Sequence, residues 1–585
     1  MTTTAESMAG SSLHPPATRT GWFATPWRLG LTRGEALIYG VILIAAAVLR
    51  LWDLGGRVLH HDEAIHAKEV YDMLHGQQYA YDPAYHGPLL YFALTPLFFF
   101  FGDSDGMARV MPALVGIGSI VAIPLYRPLL GRVGTPLAML VFTVSTANLY
   151  YARSLRHDMF LAAALIVLGG AVVRYLSEPR RKWLIVAWVA FALAFVTKED
   201  TYIHGFILVV ALVLFVAVTV LTRNRRPESL PMPLRQIRSA VHGLRRDPNG
   251  VVYGLLIFLA VAFVLYTSFF TNFVGFRDGF VKAIEYWRGV HTTERVNQPW
   301  FYYAMFMAVY EPFVLIFGTV ALVRVWKAHH AGAYVLALWT VIGLGVYSIA
   351  GEKAAWLVVP AMWPLALLAC WWVGRQFDRP GARWVRALVL VGTVVTLAWT
   401  VRFAIPTNFE RGDKPIDFVI YVQTTPDVRV AAEVVDEAVR RDGGDTQTRF
   451  LVENEFAWPF AWYLRHYTRV HYGTAEAENI MDAPVLIVSP ATADRIGVQL
   501  TDYVGRRMRL RWWFPEFAYK AWTWGAFGAF FNDPEAQRTF WSWLFVREAT
   551  PVPLGTYDFM LYLRTDLLGA GPIGPFTPVG GDPSG

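Results

Sequence analysis

The amino-acid sequence predicts a polytopic α-helical membrane protein with about eleven transmembrane helices and a C-terminal α/β domain. Of its 585 residues, 55% are hydrophobic and only 17% are charged, whereas a soluble domain carries about 25% charged residues. Apolar runs long enough to cross the roughly 30 Å hydrocarbon core of a bilayer recur between Ile38 and Ala404. After about Ile405 the composition becomes that of a water-soluble domain.

The apolar runs define a predicted membrane domain over residues 35–404, after a polar tail of residues 1–34. The predicted spans lie near residues 36–52, 110–126, 135–151, 159–176, 183–197, 203–222, 251–270, 302–324, 332–350, 355–374 and 386–404. Leu89–Phe101 is also apolar, but it is too short to span, and counting it would invert the charge pattern of the later loops. We therefore expect it to form an interfacial or re-entrant helix.

The distribution of basic residues predicts the orientation of the chain. Lys and Arg outnumber Asp and Glu by 52 to 45, giving a net charge of +7. The basic residues concentrate in alternate short loops, a pattern that indicates membrane orientation rather than nucleic-acid binding. These loops hold Arg127 and Arg132, residues 180–182, residues 223–246, Arg324 and Lys327, and Arg375 and Arg379. The positive-inside rule places them and the N-terminal tail in the cytoplasm. The first outer loop (residues 53–109) and the C-terminal domain are then expected to face outward from the plasma membrane.

The C-terminal domain is predicted over residues 405–568. Short apolar runs and helical periodicity alternate there, which favours a small α/β fold. The predicted strands are Arg449–Val452, Pro484–Val488 and Tyr557–Leu563, and the predicted helices are Ile416–Arg441 and Trp458–His466. Residues 569–585 are rich in Gly and Pro and are predicted to be disordered. The single cysteine, Cys370, excludes an intrachain disulfide.

The first candidate cluster lies in the first outer loop, at His60-His61-Asp62-Glu63. Asp62 is expected to begin a short helix that ends near His75, with Asp62 and His66 on one face. The spacing does not fit a zinc protease. The alternative is a capping acid on an interfacial helix.

Two further clusters place cations where they can meet a phosphate. Arg153 and Arg156 precede Asp158, which could orient them or bind a polar substrate. Lys198 and Glu199 lie at the outer end of another predicted span, at the depth of lipid headgroups. The alternatives are snorkelling arginines and an exposed ion pair without function.

Isolated charged groups complete the set. Glu311 lies inside an apolar run, where a carboxylate costs roughly 2.5–3.5 kcal/mol on insertion scales. It is expected either to face a wet cavity or to be protonated and bonded to a neighbouring helix. Glu352 and Lys353 form another pair at an outer helix end. Asp103-Ser104-Asp105 is a weak match to a nucleotide-sugar metal motif.

Together these motifs resemble the GT-C superfamily of membrane glycosyltransferases, and within it the protein-mannosyltransferase and aminoarabinose-transferase-like branch. The resemblance rests on His-Asp-Glu in the first outer loop, His86-Gly87-Pro88-Leu89, Phe101-Gly102, Arg109-Val110-Met111-Pro112, and Arg153 to Asp158.

Further motifs are similar to one subgroup of that branch, whose members are associated with flippase activity in archaeal-type glycosylation. These are Thr197-Lys198-Glu199, Tyr286-Trp287, His291, Arg295, Pro299, Tyr302-Tyr303, Tyr310-Glu311, Gly351-Glu352-Lys353, Trp458-Pro459 and Trp462-Tyr463-Leu464-Arg465. The chain departs from the pattern at Ala354-Ala355, where a Pro is expected before Trp356.

The resemblance implies a transferase that takes a sugar from a polyprenyl-phosphate donor on the outer leaflet. The acceptor would be a hydroxyl of a glycan, lipid or protein. Such chemistry needs a base for the hydroxyl and cations for the leaving phosphate. Asp62 is the predicted base, with Glu63 as the substitute and Asp158 as the orienting acid.

The predicted phosphate ligands are Lys198, Arg153 and Arg156. The other predicted substrate-binding residues are His66, His86, Glu199, Glu311, Glu352 and Lys353. No cofactor and no required metal are expected, because Trp371-Trp372 and Trp512-Trp513 lack the Asp of the oligosaccharyltransferase motif.

A different class remains open: a non-catalytic binder of lipid-linked glycans, or a partner of a flippase. Such a protein would keep the fold and the cationic site without needing an ionised Asp62 beside an acceptor. A transporter is disfavoured, because the sequence has no internal repeat and no paired broken helices.

Overall fold

A computed structural model describes residues 32–290, 298–378, 381–444, 448–476, 480, 483–520, 523–547 and 554–576. The predicted tails therefore lie outside the described residues over 1–31 and 577–585, as do His291 and Arg295 of the subgroup motifs. The helices up to residue 409 are α1 Arg33–Leu51, α2 His61–Leu74, α3 Leu89–Phe101, α4 Asp105–Ala122, α5 Arg127–Val144, α6 Thr146–Ala152, α7 His157–Ser177, α8 Arg181–Phe195, α9 Thr201–Leu221, α10 Met232–Arg246, α11 Pro248–Tyr266, α12 Val274–Val290, α13 Tyr302–Tyr310, α14 Pro312–Arg324, α15 Ala331–Ile349, α16 Val358–Asp378 and α17 Arg383–Phe409.

The helices confirm a polytopic membrane protein. Among the described residues, eight helices are long and apolar enough to cross a membrane, or nine if the bent pair α13–α14 counts as one span. Every predicted span coincides with a helix or a helix pair. The number eight takes residues 105–144 as one span. Within this segment Gly131 has φ of 73°, and Gly116 of α4 packs against Ala152 of α6, so the chain must reverse its direction between α4 and α5. Helix α8 has only 15 residues, so the number of eleven spans stays a prediction.

The apolar pattern anticipated one helical feature, the short helix at residues 89–101, but not the break inside the predicted span 302–324. Leu89–Phe101 forms the short helix α3, which leaves Phe99, Phe100 and Phe101 exposed. Helices α13 and α14 meet at an angle of 118°, and Glu311 lies at the break.

The centre of the bundle is α16, whose residues are buried almost throughout. It packs against α5, α7, α14 and α15. The helices approach closely where α16 crosses α5, because Gly374 faces Gly134: a Cβ on Gly374 would lie 2.7 Å from the Gly134 nitrogen. Trp339 and Trp363 fill the neighbouring core with their rings 5.0 Å apart.

The C-terminal part is an α/β domain built on one six-stranded sheet, which confirms the predicted fold class. The strands are β1 Val422–Thr424, β2 Phe450–Glu453, β3 Val470–Gly473, β4 Val485–Val488, β5 Tyr503–Trp513 and β6 Gly555–Arg564, and the helices are α18 Asp427–Arg441, α19 Ala457–Tyr463, α20 Pro490–Arg495, α21 Phe517–Lys520, α22 Trp524–Phe530 and α23 Pro534–Phe545. The strand order is β1-β5-β6-β4-β2-β3. Strands β4, β2 and β3 run parallel, and the other pairs are antiparallel.

The structure corrects two predictions for this domain. The predicted helix Ile416–Arg441 begins only at Asp427, because residues 422–424 pair with β5 as an edge strand. The predicted disorder does not hold for residues 569–576, since Ile573 and Phe576 are buried in the domain core. Strands β3 and β5 were not predicted.

The C-terminal domain is attached to the bundle through Asp105, at the start of α4. Its carboxylate accepts hydrogen bonds from the Trp462 indole and the Tyr463 hydroxyl, both at 2.8 Å. Arg429 donates to the same carboxylate at 3.1 Å. Beside it, Arg465 pairs with Asp103 at 2.6 Å. The acids of the weak metal motif therefore serve to join the two parts of the chain.

Candidate active site

A cavity of about 940 Å³ lies where the helical bundle meets the C-terminal sheet domain. Its walls come from the start of α2, the start of α7, the α8–α9 turn, α12, the end of α15 and the edge formed by β1 and β5. Of the twelve predicted site residues, eight line it: Asp62, His66, His86, Arg156, Asp158, Lys198, Glu199 and Glu352.

The start of α2 is built by a capping arrangement that presents Asp62 to the cavity. His60 is the N-cap, and its Nδ1 accepts the Asp62 N–H at 3.1 Å. Glu63 Oε2 accepts the His60 N–H at 2.9 Å, which completes a capping box. The helix ends at Leu74, before Gly76 with φ of 98°. The predicted short helix is thus present, one residue longer at its start.

Asp62 is the most accessible carboxylate of the ion-pair network in the cavity, with 27% of its side chain exposed. Its Oδ2 lies 2.5 Å from Arg156 Nη1, and its Oδ1 lies 2.9 Å from His61 Nε2. Burial alone would raise the pKa of Asp62, but His61 and Arg156 outweigh it and hold this pKa well below its usual range. Asp62 is therefore ionised at neutral pH.

A row of alternating charges runs from Asp62 into the cavity wall. Arg156 Nε lies 3.3 Å from Asp158 Oδ2, and Lys198 Nζ donates to Asp158 Oδ1 at 2.7 Å. Asp200 lies 3.5 Å beyond Lys198. Burial opposes the charge on Lys198, but Asp158 and Asp200 more than offset it and raise its pKa. Both cations stay charged, and the Arg156 guanidinium also lies 3.8 Å from the centre of the Trp356 ring.

The His86-Gly87-Pro88 turn joins the opposite wall to the α8–α9 turn. Gly87 N–H donates to Thr197 O at 3.0 Å, and a Cβ on Gly87 would collide with the Val196 carbonyl. This close approach sets His86 Nδ1 2.8 Å from Glu199 Oε2, and Tyr81 donates to the other oxygen of Glu199 at 2.8 Å. The motif therefore fixes Glu199 as part of the wall.

His66 faces the same space one turn along α2. Its Nδ1 lies 2.9 Å from the Tyr91 hydroxyl. That hydroxyl donates its only proton to Tyr85 O at 2.9 Å, so His66 Nδ1 must carry the hydrogen and Nε2 is the acceptor. Burial lowers the pKa of His66 to about 3, so the ring is neutral.

Glu352 and Lys353 separate at the end of α15. Glu352 lines the cavity, and its Oε2 is buried without a hydrogen-bond partner among the described residues. Lys353 does not line the cavity, and its Nζ donates to Ala350 O at 2.6 Å.

Two predicted residues lie behind the cavity wall. Glu63 is 1% exposed, and its oxygens accept from Arg109 at 2.8 and 2.7 Å and from the Leu155 N–H at 2.8 Å. Arg153 donates to the carbonyls of Leu49 and Trp52, at 3.0 and 2.5 Å, at the end of α1. Glu63 and Arg153 thus hold helix ends together instead of reaching a ligand in the cavity.

Glu311 also lies away from the cavity. Its Oε1 accepts from the Ser145 hydroxyl at 2.7 Å and from the Ala147 N–H at 3.2 Å. Ser145 is the N-cap of α6, so the carboxylate satisfies a helix end inside the bundle. This is the bonded arrangement that the sequence left open.

The structure adds site residues that were not predicted. His61 contacts Asp62, and His157 Nε2 lies 3.1 Å from Gly87 O, with its ring 4.8 Å from that of His66. Both are neighbours of predicted residues in their motifs, which is the signal that could have identified them. Arg511 and Glu516 reach the cavity from the sheet domain, and no local pattern marks them.

One group of side chains has the composition of a metal site. Suitable atoms of His60, His61 and Asp62 lie within 4.8 Å of one another. However, His60 Nδ1 already accepts the Asp62 N–H, and Arg156 holds an oxygen of Asp62. A cation at this point would be repelled by the guanidinium, so we assign no metal to the group.

Comparisons with known proteins concern the family and the fold of the chain. Residues 85–230 match the model of the dolichyl-phosphate-mannose-protein mannosyltransferase family. Two crystal structures of ArnT from Cupriavidus metallidurans share the fold. The apo form has a TM-score of 0.54 and 17% identity over 80% of this chain and 96% of that one. The form bound to undecaprenyl phosphate has a TM-score of 0.53 and 16% identity over 82% of this chain and 96% of that one. No curated protein sequence matches the chain.

Proposed function

We propose that this chain is a glycosyltransferase of the GT-C superfamily, in its mannosyltransferase and ArnT-like branch, and that it moves a sugar from a polyprenyl-phosphate donor to an acceptor hydroxyl. The reaction would take place in the cavity, on the outer face of the membrane. The observation that carries the proposal is the row Asp62–Arg156–Asp158–Lys198, in which the partly exposed Asp62 pairs with Arg156, and the buried Asp158 joins Arg156 to the buried Lys198. The ArnT structure with bound undecaprenyl phosphate supports a donor of this class.

In this proposal Arg156 and Lys198 hold the donor phosphate. The Arg156 guanidinium and the Lys198 ammonium both stay charged, and each can bind one phosphate oxygen. Asp158 lies between them and is 2% exposed, so it sets their positions without competing for the entering ligand. Trp356 supports the flat face of the guanidinium.

Asp62 is the proposed base. The acceptor oxygen forms a bond to the anomeric carbon while the bond from that carbon to the phosphate oxygen breaks. The electron pair leaves with the polyprenyl phosphate, and the hydroxyl proton passes to Asp62. A single displacement of this kind inverts the anomeric configuration. Exposure favours Asp62, because its side chain is 27% exposed, whereas Asp158 and Glu199 are 2% and 4% exposed.

Donor binding would also make Asp62 a stronger base. In the free protein, His61 and Arg156 hold the pKa of Asp62 low, and a carboxylate of low pKa is a weak base. A phosphate that takes the donors of Arg156 would release one Asp62 oxygen at the moment when an acceptor is to be activated. The pKa of Asp62 would then rise, so the base strengthens only when the donor is in place.

A second function has a specific observation in its favour. Both Asp62 oxygens already have partners, one in His61 and one in Arg156. A protein that only binds lipid-linked glycans, or assists a flippase, would use the same cations and keep Asp62 as their counter-ion.

The experiment that separates the two functions is Asp62→Asn, compared with Asp72→Asn as a matched control on the same helix. Asp72 pairs with Lys68 and does not line the cavity. Cell glycans and lipid-linked intermediates report transfer, and undecaprenyl phosphate binding to the purified protein is measured in parallel. We expect Asp62→Asn to reduce transfer by about 10² or more while binding persists, and Asp72→Asn to leave both unchanged. Unchanged glycans in Asp62→Asn cells would exclude Asp62 as the base and favour the binder.

A further inference from the structure

Helix α23 of the C-terminal domain carries a face that the rest of the described chain does not cover. Trp541, Phe545 and Val546 are 47%, 48% and 63% exposed. Trp541 and Phe545 are one turn apart and stack, with ring centres 5.6 Å apart and planes at 25°. These three residues are called the aromatic face below. Large apolar side chains in a contiguous exposed group mark an interaction surface.

The aromatic face is continuous with the exposed apolar surface of α17, a helix long and apolar enough to cross a membrane. It lies against α17, whose Leu388, Val391 and Val395 are 65%, 59% and 60% exposed along a membrane-spanning helix. Phe545 meets Trp399 of α17 edge to face, with ring centres 5.6 Å apart. Arg402 of α17 donates to the Leu544 and Phe545 carbonyls at the end of α23.

The contact between Phe545 and Trp399 lies at a depth within the predicted membrane span of α17. Trp399 precedes Ala404, where the predicted apolar run of α17 ends, by about 7.5 Å along the helix axis. The end of α23 therefore reaches below the level at which α17 leaves the hydrocarbon. Trp at this level and Arg nearby are the side chains that membrane interfaces favour.

The polarity of α23 also changes along its length, from charged at its start to apolar at its end. Its first turns expose Glu535 and Arg538, whereas its last turn exposes Trp541 and Phe545. A helix with charge at one end and aromatic side chains at the other suits a tilted position, with its C-terminal end dipping into the bilayer.

We propose that the aromatic face is a membrane-docking surface, occupied by lipid of the leaflet that surrounds the C-terminal end of α17. The inference does not depend on the proposed reaction.

The opposite face of α23 connects this surface to the cavity. The Trp543 indole donates to Ile416 O at 2.9 Å, and its ring stacks on Phe418 with centres 6.0 Å apart. The chain continues from Phe418 to Tyr421, which lines the cavity. Lipid contact on one side of α23 thus fixes the height of one cavity wall above the membrane.

The test is depth measurement by spin labelling in the full-length protein. Cys370 is first replaced by Ala, and single cysteines are introduced at Val546, at Phe545 and, as the matched control on the same helix, at Glu535. After reconstitution in phospholipid nanodiscs, power saturation compares collisions of a nitroxide with oxygen and with a water-soluble nickel chelate.

We expect labels at Val546 and Phe545 to collide with oxygen at least threefold more than the Glu535 label, and with the nickel chelate at least threefold less. Nickel accessibility at Val546 and Phe545 equal to that at Glu535 would place the face in water and overturn the proposal. Low collision with both reagents, together with dipolar broadening between labels, would show that a second copy of the chain covers the face, which also overturns it.

Discussion

Two arginines of one short motif have different tasks because the backbone turns between them. Arg153 is the C-cap of α6 and points to the end of α1, whereas Arg156 is the N-cap of α7 and reaches Asp62 in the cavity. Composition favours phosphate binding for both, and only the helix boundary distinguishes them. The resemblance located the motif, but it did not separate the binding cation from the structural one.

The first prediction compares two lost cations. Lys198→Ala should weaken undecaprenyl phosphate binding by about 1.5–3 kcal/mol, as for a lost charged hydrogen bond. Arg153→Ala should leave binding unchanged and instead destabilise the fold by about 2–3 kcal/mol, since the carbonyls that end α1 lose their donor. Binding isotherms and unfolding midpoints in detergent separate these effects. Lys68→Ala is the control for a cation outside the cavity. Weaker binding in Arg153→Ala would contradict this prediction and show that Arg153 does bind the phosphate.

The second prediction is an acid-dependent loss of stability. Burial lowers the pKa of both His60 and His66 to about 3, below the ordinary value near 6.5. Between pH 6.5 and 3 the unfolded chain therefore binds protons that the folded chain does not, so stability falls as pH falls through this window. Each histidine contributes about 1.4 kcal/mol per pH unit at most. The unfolding midpoint of His66→Gln should depend less on pH between 6.5 and 4 than that of the wild type, and equal slopes would refute the assignment.

At the scale of elements, the long apolar helices were predicted and strand β5 was missed. A long apolar run is a strong signal for a membrane span. Strand β5 alternates Arg507, Arg509 and Arg511 with the buried Met508 and Leu510, so the two-residue pattern of a half-buried strand is present in the sequence, although the prediction did not use it. The break at Glu311 has a local signal that was missed, because Pro312 lacks the N–H that would continue the helix and disfavours helical geometry at Glu311. The partner of Glu311 at the start of α6 is far away in sequence, and no local pattern contains that information.

The candidate site also contains residues that could be predicted from the sequence and residues that could not. Residues on the first outer loop and at helix ends, such as Asp62, Arg156 and Lys198, lie in motifs whose charge near a membrane is itself a signal. Arg511 and Glu516 reach the cavity only because the sheet packs above the bundle. Their contribution is a consequence of tertiary structure.

The third prediction concerns the docking of the C-terminal domain. Asp105→Ala leaves the Trp462 indole and the Tyr463 hydroxyl without their shared acceptor. Unpaired buried donors cost about 1–3 kcal/mol each, so the domain should be destabilised by about 2–4 kcal/mol. Limited proteolysis of the C-terminal domain and the unfolding midpoint measure this. Asp82→Ala, at an exposed acid of the same loop region, removes only the cap of the turn at residues 83–85 and should cost about 1 kcal/mol or less. Equal midpoints for the two variants would show that Asp105 does not hold the domain.

At the scale of the molecule, the cavity belongs to neither part of the chain alone. The bundle supplies the charged row, and the sheet domain closes it with Tyr421, Arg511 and Glu516. A site at such a junction can admit a lipid-linked donor from the membrane and an acceptor from water. The side of the membrane on which it opens therefore decides which donors and acceptors it can meet.

The fourth prediction tests that side. Single cysteines in a Cys370→Ala background are placed at three exposed positions, Gln77, Arg440 and Ser229. Gln77 lies in the loop that is predicted to be the first outer loop, and Arg440 lies in the sheet domain, whereas Ser229 lies in the basic segment between α9 and α10. Because basic loops remain cytoplasmic, a membrane-impermeant thiol reagent should label the first two in intact cells and label Ser229 only after lysis. Labelling of Ser229 in intact cells with protection of Gln77 would place the cavity in the cytoplasm, where an acceptor on the outer surface could not reach Asp62.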